Sequence, residues 1–319
     1  MLPVSARDIT GFLIVRDVVR NGYPFLEAIF ASLGLCRTVH VLDGESADTT
    51  WASLTGLQDI VGSDRLVLNR AKWQTRGRTH ILAAATNQLR AKLASPPGAW
   101  LWNFQANEIV APKTASEIRF LLRQHREIDL FRLPFTTLMG FHYLAYTDYR
   151  GRLFRNLPRL VSIGDAYDCG FDLASCRRRP WRLLWFLRNR RRWAPGHLAH
   201  PVLRLRAPFP EHYSVKMMTR ASLNPWESGA AREAAAARAT LEQIRAVEGT
   251  LAEFWEQTPF ARDADPFPKG PIPPERRVPE LPPVLRHLSV LWRYDPELSL
   301  SALAGIAVPS PDVGGAVST

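Results

Sequence analysis

Thr38-Val39-His40-Val41-Leu42-Asp43-Gly44-Glu45-Ser46-Ala47-Asp48-Thr49-Thr50 is the stretch on which the reading of the fold turns. Its first five residues are β-branched or apolar apart from His40, which predicts a short buried strand. Asp43-Gly44 ends that strand, and a glycine there lets the backbone approach a ligand closely. Asp48 stands where a helix would be capped. Trp51, Leu54 and Leu57 follow at helical spacing. The stretch therefore reads as strand, acidic strand end, glycine and capped helix.

The neighbouring sequence repeats the alternation. Residues 11–16 (GFLIVR) read as a buried strand, and Pro24 opens a helix with Leu26, Ile29, Phe30 and Leu33 on one face. Residues 65–68 form a third predicted strand and 79–93 a helix. Residues 99–104 (AWLWNF) form a fourth strand, followed by Gln105-Ala106-Asn107-Glu108. A helix over 113–126 and a strand over 128–133 complete the series. This order implies an α/β fold, a Rossmann-like, mainly parallel sheet with flanking helices. Ligands of such sheets gather at the carboxyl ends of the strands. Asp43 and Glu108 both fall there, where acidic residues also serve as plain helix caps.

The rest is less regular. Residues 141–171 read as short strands joined by turns, with Asp148-Tyr149-Arg150-Gly151 as one turn. Residues 229–257 read as a long alanine-rich helix. Nine of the 25 prolines fall between Pro259 and Pro283 and mark an irregular stretch. A short helical piece over 283–292 follows, and the tail beyond 306 is expected to fray. The expected organisation is a ligand-binding and catalytic core over 1–172, an arginine-rich segment over 173–228 packing on it, and a C-terminal helix, proline-rich stretch and tail over 229–319.

Composition narrows the classes. With 319 residues, 46% hydrophobic and 22% charged, the chain is long enough and apolar enough for a sizeable core. No run reaches the roughly 20 apolar residues of a membrane-spanning helix. The apolar run over 11–15 is short and follows Asp8 rather than a basic region, so no signal peptide is expected. Cys36, Cys169 and Cys176 form no CxxC pair, which argues against a disulfide framework or a zinc site. The expected compartment is the cytoplasm.

Three segments together resemble the family 2 glycosyltransferases. Ile14-Val15-Arg16-Asp17 is similar to the apolar strand that ends in Arg-Asn in many of them. Val41 to Thr50 is close to the pattern D-G-x-S-x-D-x-T. Trp102-Asn103-Phe104-Gln105-Ala106-Asn107-Glu108 falls where the family carries D-x-D, and a bacterial subgroup carries Q-A-D-E there. Arg155-Asn156 and Gly164-Asp165-Ala166 look like that subgroup's R-N and G-D-A. The resemblance spans roughly residues 9–170 and implies the GT-A fold. It also implies transfer of a sugar from a nucleotide-sugar donor to a glycan or lipid-linked acceptor, with inversion.

Residue by residue, the resemblance makes Arg16, Asp17, Asp43, Ser46, Asp48 and Gln105 nucleotide-binding candidates, with Asp43 accepting hydrogen bonds from the base. Ser46, Asp48 and Thr49 would shape the turn into the helix. Asp165 is the first candidate for catalytic base and Asp168 the second, because inverting transfer needs a carboxylate to take the acceptor hydroxyl proton. The D-x-D position departs from the family. Gln105 and Asn107 replace both aspartates, and only Glu108 keeps a charge. A divalent cation (Mn or Mg) wants anionic oxygen ligands, so Glu108, assisted by Asn107, is the candidate set and metal dependence stays open. Arg70, Arg76 or Arg78 neutralising the diphosphate is the alternative. A degenerate, non-catalytic glycan-binding or scaffold protein is the alternative function. Histidines 197, 200 and 212 have no spacing that singles one out as a ligand.

The formal charge of +11 is local. Between residues 173 and 210 stand ten arginines and no Asp or Glu. Residues 177–193 mix these arginines with Trp181, Leu184 and Trp185. That mixture suits an anionic membrane surface at the inner face of the membrane. It equally suits a helix packed on the core with a solvated basic edge. Nucleic acid, through phosphate contacts and stacking, is the least favoured partner.

Overall fold

The computed structural model describes residues 9–73, 81–139, 141, 143–163, 168–171, 192–207, 209, 280–291 and 293–311. Strand β1 (Ile9–Val15) is buried over nearly its whole length, as a strand covered on both faces must be. It pairs in parallel with β2 (Thr38–Asp43) on one side and β4 (Trp100–Asn103) on the other, and β2 pairs in parallel with β3 (Leu66–Arg70). Helices α1 (Phe25–Leu33), α2 (Thr50–Val61), α3 (Ile81–Arg90) and α4 (Pro112–Gln124) lie between these strands and after β4 in sequence. Pro112 sits in the first turn of α4, where its missing N–H costs nothing.

The alternation of strand side chains divides the apolar core in two. Leu13, Val39, Val41, Trp100 and Trp102 face one cluster with α1 and α2. Phe12, Leu42, Leu101, Leu130 and Phe154 face the other with Leu89 of α3. The α/β expectation therefore holds, and the half of the sheet that carries Asp43 is parallel.

The other half is mixed. The full sheet continues the order β3-β2-β1-β4 with β7 (Tyr143–Arg155), β6 (Leu130–Met139), β11 (Val202–Ala207) and β5 (Glu108–Ile109), with β10 (Trp193–Pro195) also on β6. Here β6 and β7 form a long antiparallel hairpin. The two-residue strand β5 pairs antiparallel with β11, which lies parallel to β6. β10 is also parallel to β6. β8 (Leu160–Ile163) and β9 (Asp168–Phe171) form a separate pair. The turn expected at Asp148-Tyr149-Arg150-Gly151 is not a turn: all four residues lie inside β7, and Arg150 is fully buried. Turn-like composition is overridden there by pairing with β6 and by the acids that receive the arginine.

All nine residues of α1 are buried because the C-terminal segment covers its outer face. A 3-10 helix (Pro283–Val290) and helix α5 (Pro296–Ala304) pack on α1, and α5 also packs on α2. Glu27 of α1 is fully buried, accepts a hydrogen bond from Tyr294 Oη at 3.0 Å and lies 3.0 Å from Nε2 of the His287 ring. Arg65 closes the other end, donating to Leu33 O and Pro309 O. Residues beyond 306 are thus tied down as far as 309. No helix among the described residues is long and apolar enough to cross a membrane. The helix expected over 229–257, most of the arginine-rich segment and most of the proline-rich stretch lie outside the described residues.

Candidate functional site at the carboxyl ends of the parallel strands

The loops after β1 and β2 are locked to each other. Asp17 has a left-handed backbone (φ 50), which Asp tolerates better than most residues. Its N–H donates to Ser46 Oγ at 2.8 Å, and its carboxylate accepts from Ala47 N at 2.7 Å. Asp48 accepts from Arg20 N at 2.8 Å and from Thr50 N at 3.0 Å. Thr50 Oγ1 accepts from Val18 N and Val19 N. The D-G-x-S-x-D-x-T residues are therefore largely a clamp between two loops. Asp48 is not the N-cap of α2: Thr49 holds that position without a side-chain cap hydrogen bond, and Asp48, one residue earlier, accepts only from Thr50 N.

Asp43 sits at the centre of this clamp and is completely buried. Its carboxylate accepts from Ser46 Oγ at 2.5 Å and from Ser46 N, and it pairs with Arg70 Nε at 3.1 Å. Arg70, at the end of β3, also donates to Ser46 O at 3.1 Å and lies 5.3 Å from the Trp51 ring centre. Trp73 lies so close over Gly44 that a Cβ there would meet its indole at 2.6 Å. Around this buried acid, Arg16, Arg20, Arg70 and Lys72 are exposed. At the strand ends a fully buried carboxylate thus holds a half-exposed guanidinium, with further cations exposed on the adjoining loops. That combination suits an anionic ligand with a hydrogen-bonding ring.

The turn over residues 104–108 follows β4, beside β1. Phe104 N donates to Phe12 O at 3.3 Å, which ties the turn to β1. Asn107 exchanges hydrogen bonds with β11: its Nδ2 donates to Leu205 O at 2.7 Å, and Leu205 N donates to Asn107 O at 2.8 Å. Glu108 is fully buried. Its Oε2 accepts from Gln105 N at 2.9 Å and its Oε1 from Arg152 Nη2 at 2.8 Å, with Arg150 Nη1 at 3.8 Å. Arg150 also pairs with Asp148 at 2.6 Å. Asp148, Arg150 and Arg152 all come from β7, whose pairing with β6 shifts register between Gly151 and Leu153, and both arginines reach Glu108 of β5. Sequence reasoning missed Arg150 and Arg152. The signal was the Arg-Gly-Arg spacing of two, legible only once a strand is assumed.

As a cation site this turn does not fit. Both Glu108 oxygens already hold donors, one of them a guanidinium and with a second guanidinium close by. The Asn107 side-chain Nδ2 is bound to Leu205 O of β11. Among the described residues no group of three or more His, Cys, Asp or Glu is placed to hold a metal ion.

Asp168 is similarly engaged. Its Oδ1 accepts from Gly151 N at 2.5 Å and Cys169 N at 3.0 Å, and its Oδ2 lies 3.6 Å from Arg132. A Cβ at position 151 would meet that carboxylate at 2.6 Å, so glycine is required for the contact. Asp165, Arg76, Arg78 and His212 lie outside the described residues. His200 is paired with Glu117 at 2.5 Å. His197 lines a separate cavity of about 380 Å³ between α4 and β10, which shares no residue with the strand-end cluster.

No family model and no curated protein sequence matches the chain. Among solved structures it is similar to S. aureus TarS 1-349 in complex with UDP-GlcNAc, at 13% identity and TM-score 0.29 over 41% of this chain and 35% of that one. The match thus spans about a third of that protein's length. TarS 1-349 alone aligns at 12% identity and TM-score 0.35 over 93% of this chain and 89% of that one. The mannosyltransferase PcManGT from Pyrobaculum calidifontis, in complex with GDP-Man and Mn2+, aligns at 13% identity and TM-score 0.36 over 76% of each chain. At these values the likeness assigns neither activity nor ligand to this chain.

Proposed function

We propose that the chain is a glycosyltransferase of the GT-A type, related to family 2, that moves a sugar from a nucleotide-sugar donor to a glycan or lipid-linked acceptor. The observation that carries this reading is the buried Asp43, held between Ser46 and Arg70 at the carboxyl ends of adjacent parallel strands. A nucleobase presents N–H donors and carbonyl or ring-nitrogen acceptors along one edge. The family resemblance makes Asp43 the acceptor for the first, which requires the base to displace one of the Ser46 donors that fill its carboxylate. Arg16 and Arg70 supply positive charge to the diphosphate, whose departure from the anomeric carbon leaves it more anionic. Asp165 takes the proton of the acceptor hydroxyl while that oxygen bonds to the anomeric carbon and the bond to the diphosphate breaks, inverting the centre. The reaction is placed in the cytoplasm, with the arginine-rich segment meeting an anionic membrane surface.

A second reading is a non-catalytic glycan-binding or scaffold protein. It is favoured by the engagement of Asp168 with two backbone N–H groups, which leaves Asp165 as the remaining candidate base. Incubation with UDP-, GDP- and dTDP-sugars, scored by release of the nucleoside diphosphate, separates the two. Release that is lost in Asp165→Asn supports the transferase. Absence of release supports the scaffold, and equal release by Asp165→Asn removes Asp165 as the base while keeping the transferase.

A further inference from the structure

We propose that nucleotide binding by this chain needs no divalent cation, and that Glu108 is a positioning residue for the 104–108 turn. This rests on the nucleotide-sugar reading above and goes beyond it to the chemistry that replaces the metal.

The acid at the D-x-D position is part of a buried charge set. Glu108 and Asp148 balance Arg150 and Arg152, and the side chains of Glu108, Arg150 and Arg152 have no exposure at all. A cation approaching Glu108 has to displace the Gln105 N–H from one oxygen or crowd a guanidinium at the other. Either route adds positive charge to a buried site that already holds two arginines, where like charges repel strongly. Glu108 instead joins the turn to β7, while Phe104 and Asn107 join it to β1 and β11. Three-sided pinning fixes the turn without a metal. The charge that meets the diphosphate is then supplied by groups that do reach solvent, Arg16 and Arg70, whose side chains are 52% and 43% exposed. Arginine suits this role because its fork matches phosphate oxygens.

The experiment is calorimetric titration of UDP and GDP into the full chain, in EDTA and in Mn2+, with Mn2+ paramagnetic resonance of the protein alone. The expected result is a Kd that agrees within about twofold between the two conditions and a free-Mn2+ signal that the protein does not reduce. Glu108→Gln is expected to weaken nucleotide binding by the same factor in both conditions, as a positioning residue does, and Arg16→Gln is expected to weaken it in EDTA. Tightening by Mn2+ of about tenfold or more that disappears in Glu108→Gln overturns the inference while the nucleotide-binding reading stands. Mn2+ bound by the protein alone also overturns it, and this measurement needs no variant to fold. No binding of either nucleotide in either condition overturns both.

Discussion

Arg152 donates a hydrogen bond to Glu108 at 2.8 Å, and neither side chain reaches solvent. Breaking such a pair from one side leaves the other charge buried. Glu108→Gln removes the buried carboxylate from Arg152 while Arg150 keeps Asp148, and it is expected to cost about 3–5 kcal/mol of stability. Arg152→Met leaves Glu108 with Arg150 and the Gln105 N–H, so it is expected to cost less. Denaturant unfolding of the two variants checks the order, and equal losses would contradict it.

The clasp between α1 and the C-terminal segment is also open to test. Tyr294 Oη donates to the buried Glu27, which retains His287 when the hydroxyl is removed. Tyr294→Phe is therefore expected to cost about 1–3 kcal/mol. Burial, and then the Glu27 carboxylate, push the Tyr294 phenol well above its ordinary value of 10.0. The folded chain keeps this proton where the unfolded chain loses it. Its contribution is complete below pH 10.0 and declines as pH rises above that value. Unfolding series on the alkaline side are expected to show a shallower decline for Tyr294→Phe than for the parent chain.

Cys36 and Cys169 are free and buried. Burial raises the Cys36 thiol far above its ordinary range and carries Cys169 to about 11 despite the nearby Arg152. Neither forms a thiolate near neutral pH, so neither is expected to react with iodoacetamide in the folded chain. Peptide mass mapping of native and unfolded samples checks this, and rapid native alkylation at either position would contradict the packing.

Gly44 and Trp73 form the tightest contact over the strand-end site. A Cβ at Gly44 has no room unless the indole moves, so Gly44→Ala is expected to cost about 1–3 kcal/mol. Adding Trp73→Ala is expected to restore most of the loss. Failure of the double variant to recover would place the strain in the backbone instead.

The first half of the fold was legible because each strand is a short apolar run and each helix an apolar face. Val39, Val41 and Leu42 gave β2, and Asp43-Gly44 gave its end. The second half was less legible because its order comes from pairing at long range. Arg150 reads as a turn residue, and Arg152 carries no signal of its own, until Glu108 and Asp148 are placed beside them. Helix α5 went unread although its start was written in Asp295-Pro296-Glu297, where Asp295 accepts from Glu297 N and Leu298 N. In the site, the motif located the residues but not their roles. Ser46, Asp48 and Thr50 spend their polar groups on loop-to-loop bonds, a matter of geometry that spacing does not carry.

On the proposed reading a nucleotide sugar binds beside Asp43. Calorimetric titration of UDP- and GDP-sugars into the parent chain and into Asp43→Asn tests it most directly, with denaturant unfolding as a check that the variant is folded. Binding of at least one donor, weakened by about tenfold or more in Asp43→Asn, is the expected result. Binding of none, or equal binding by a folded Asp43→Asn, would contradict it.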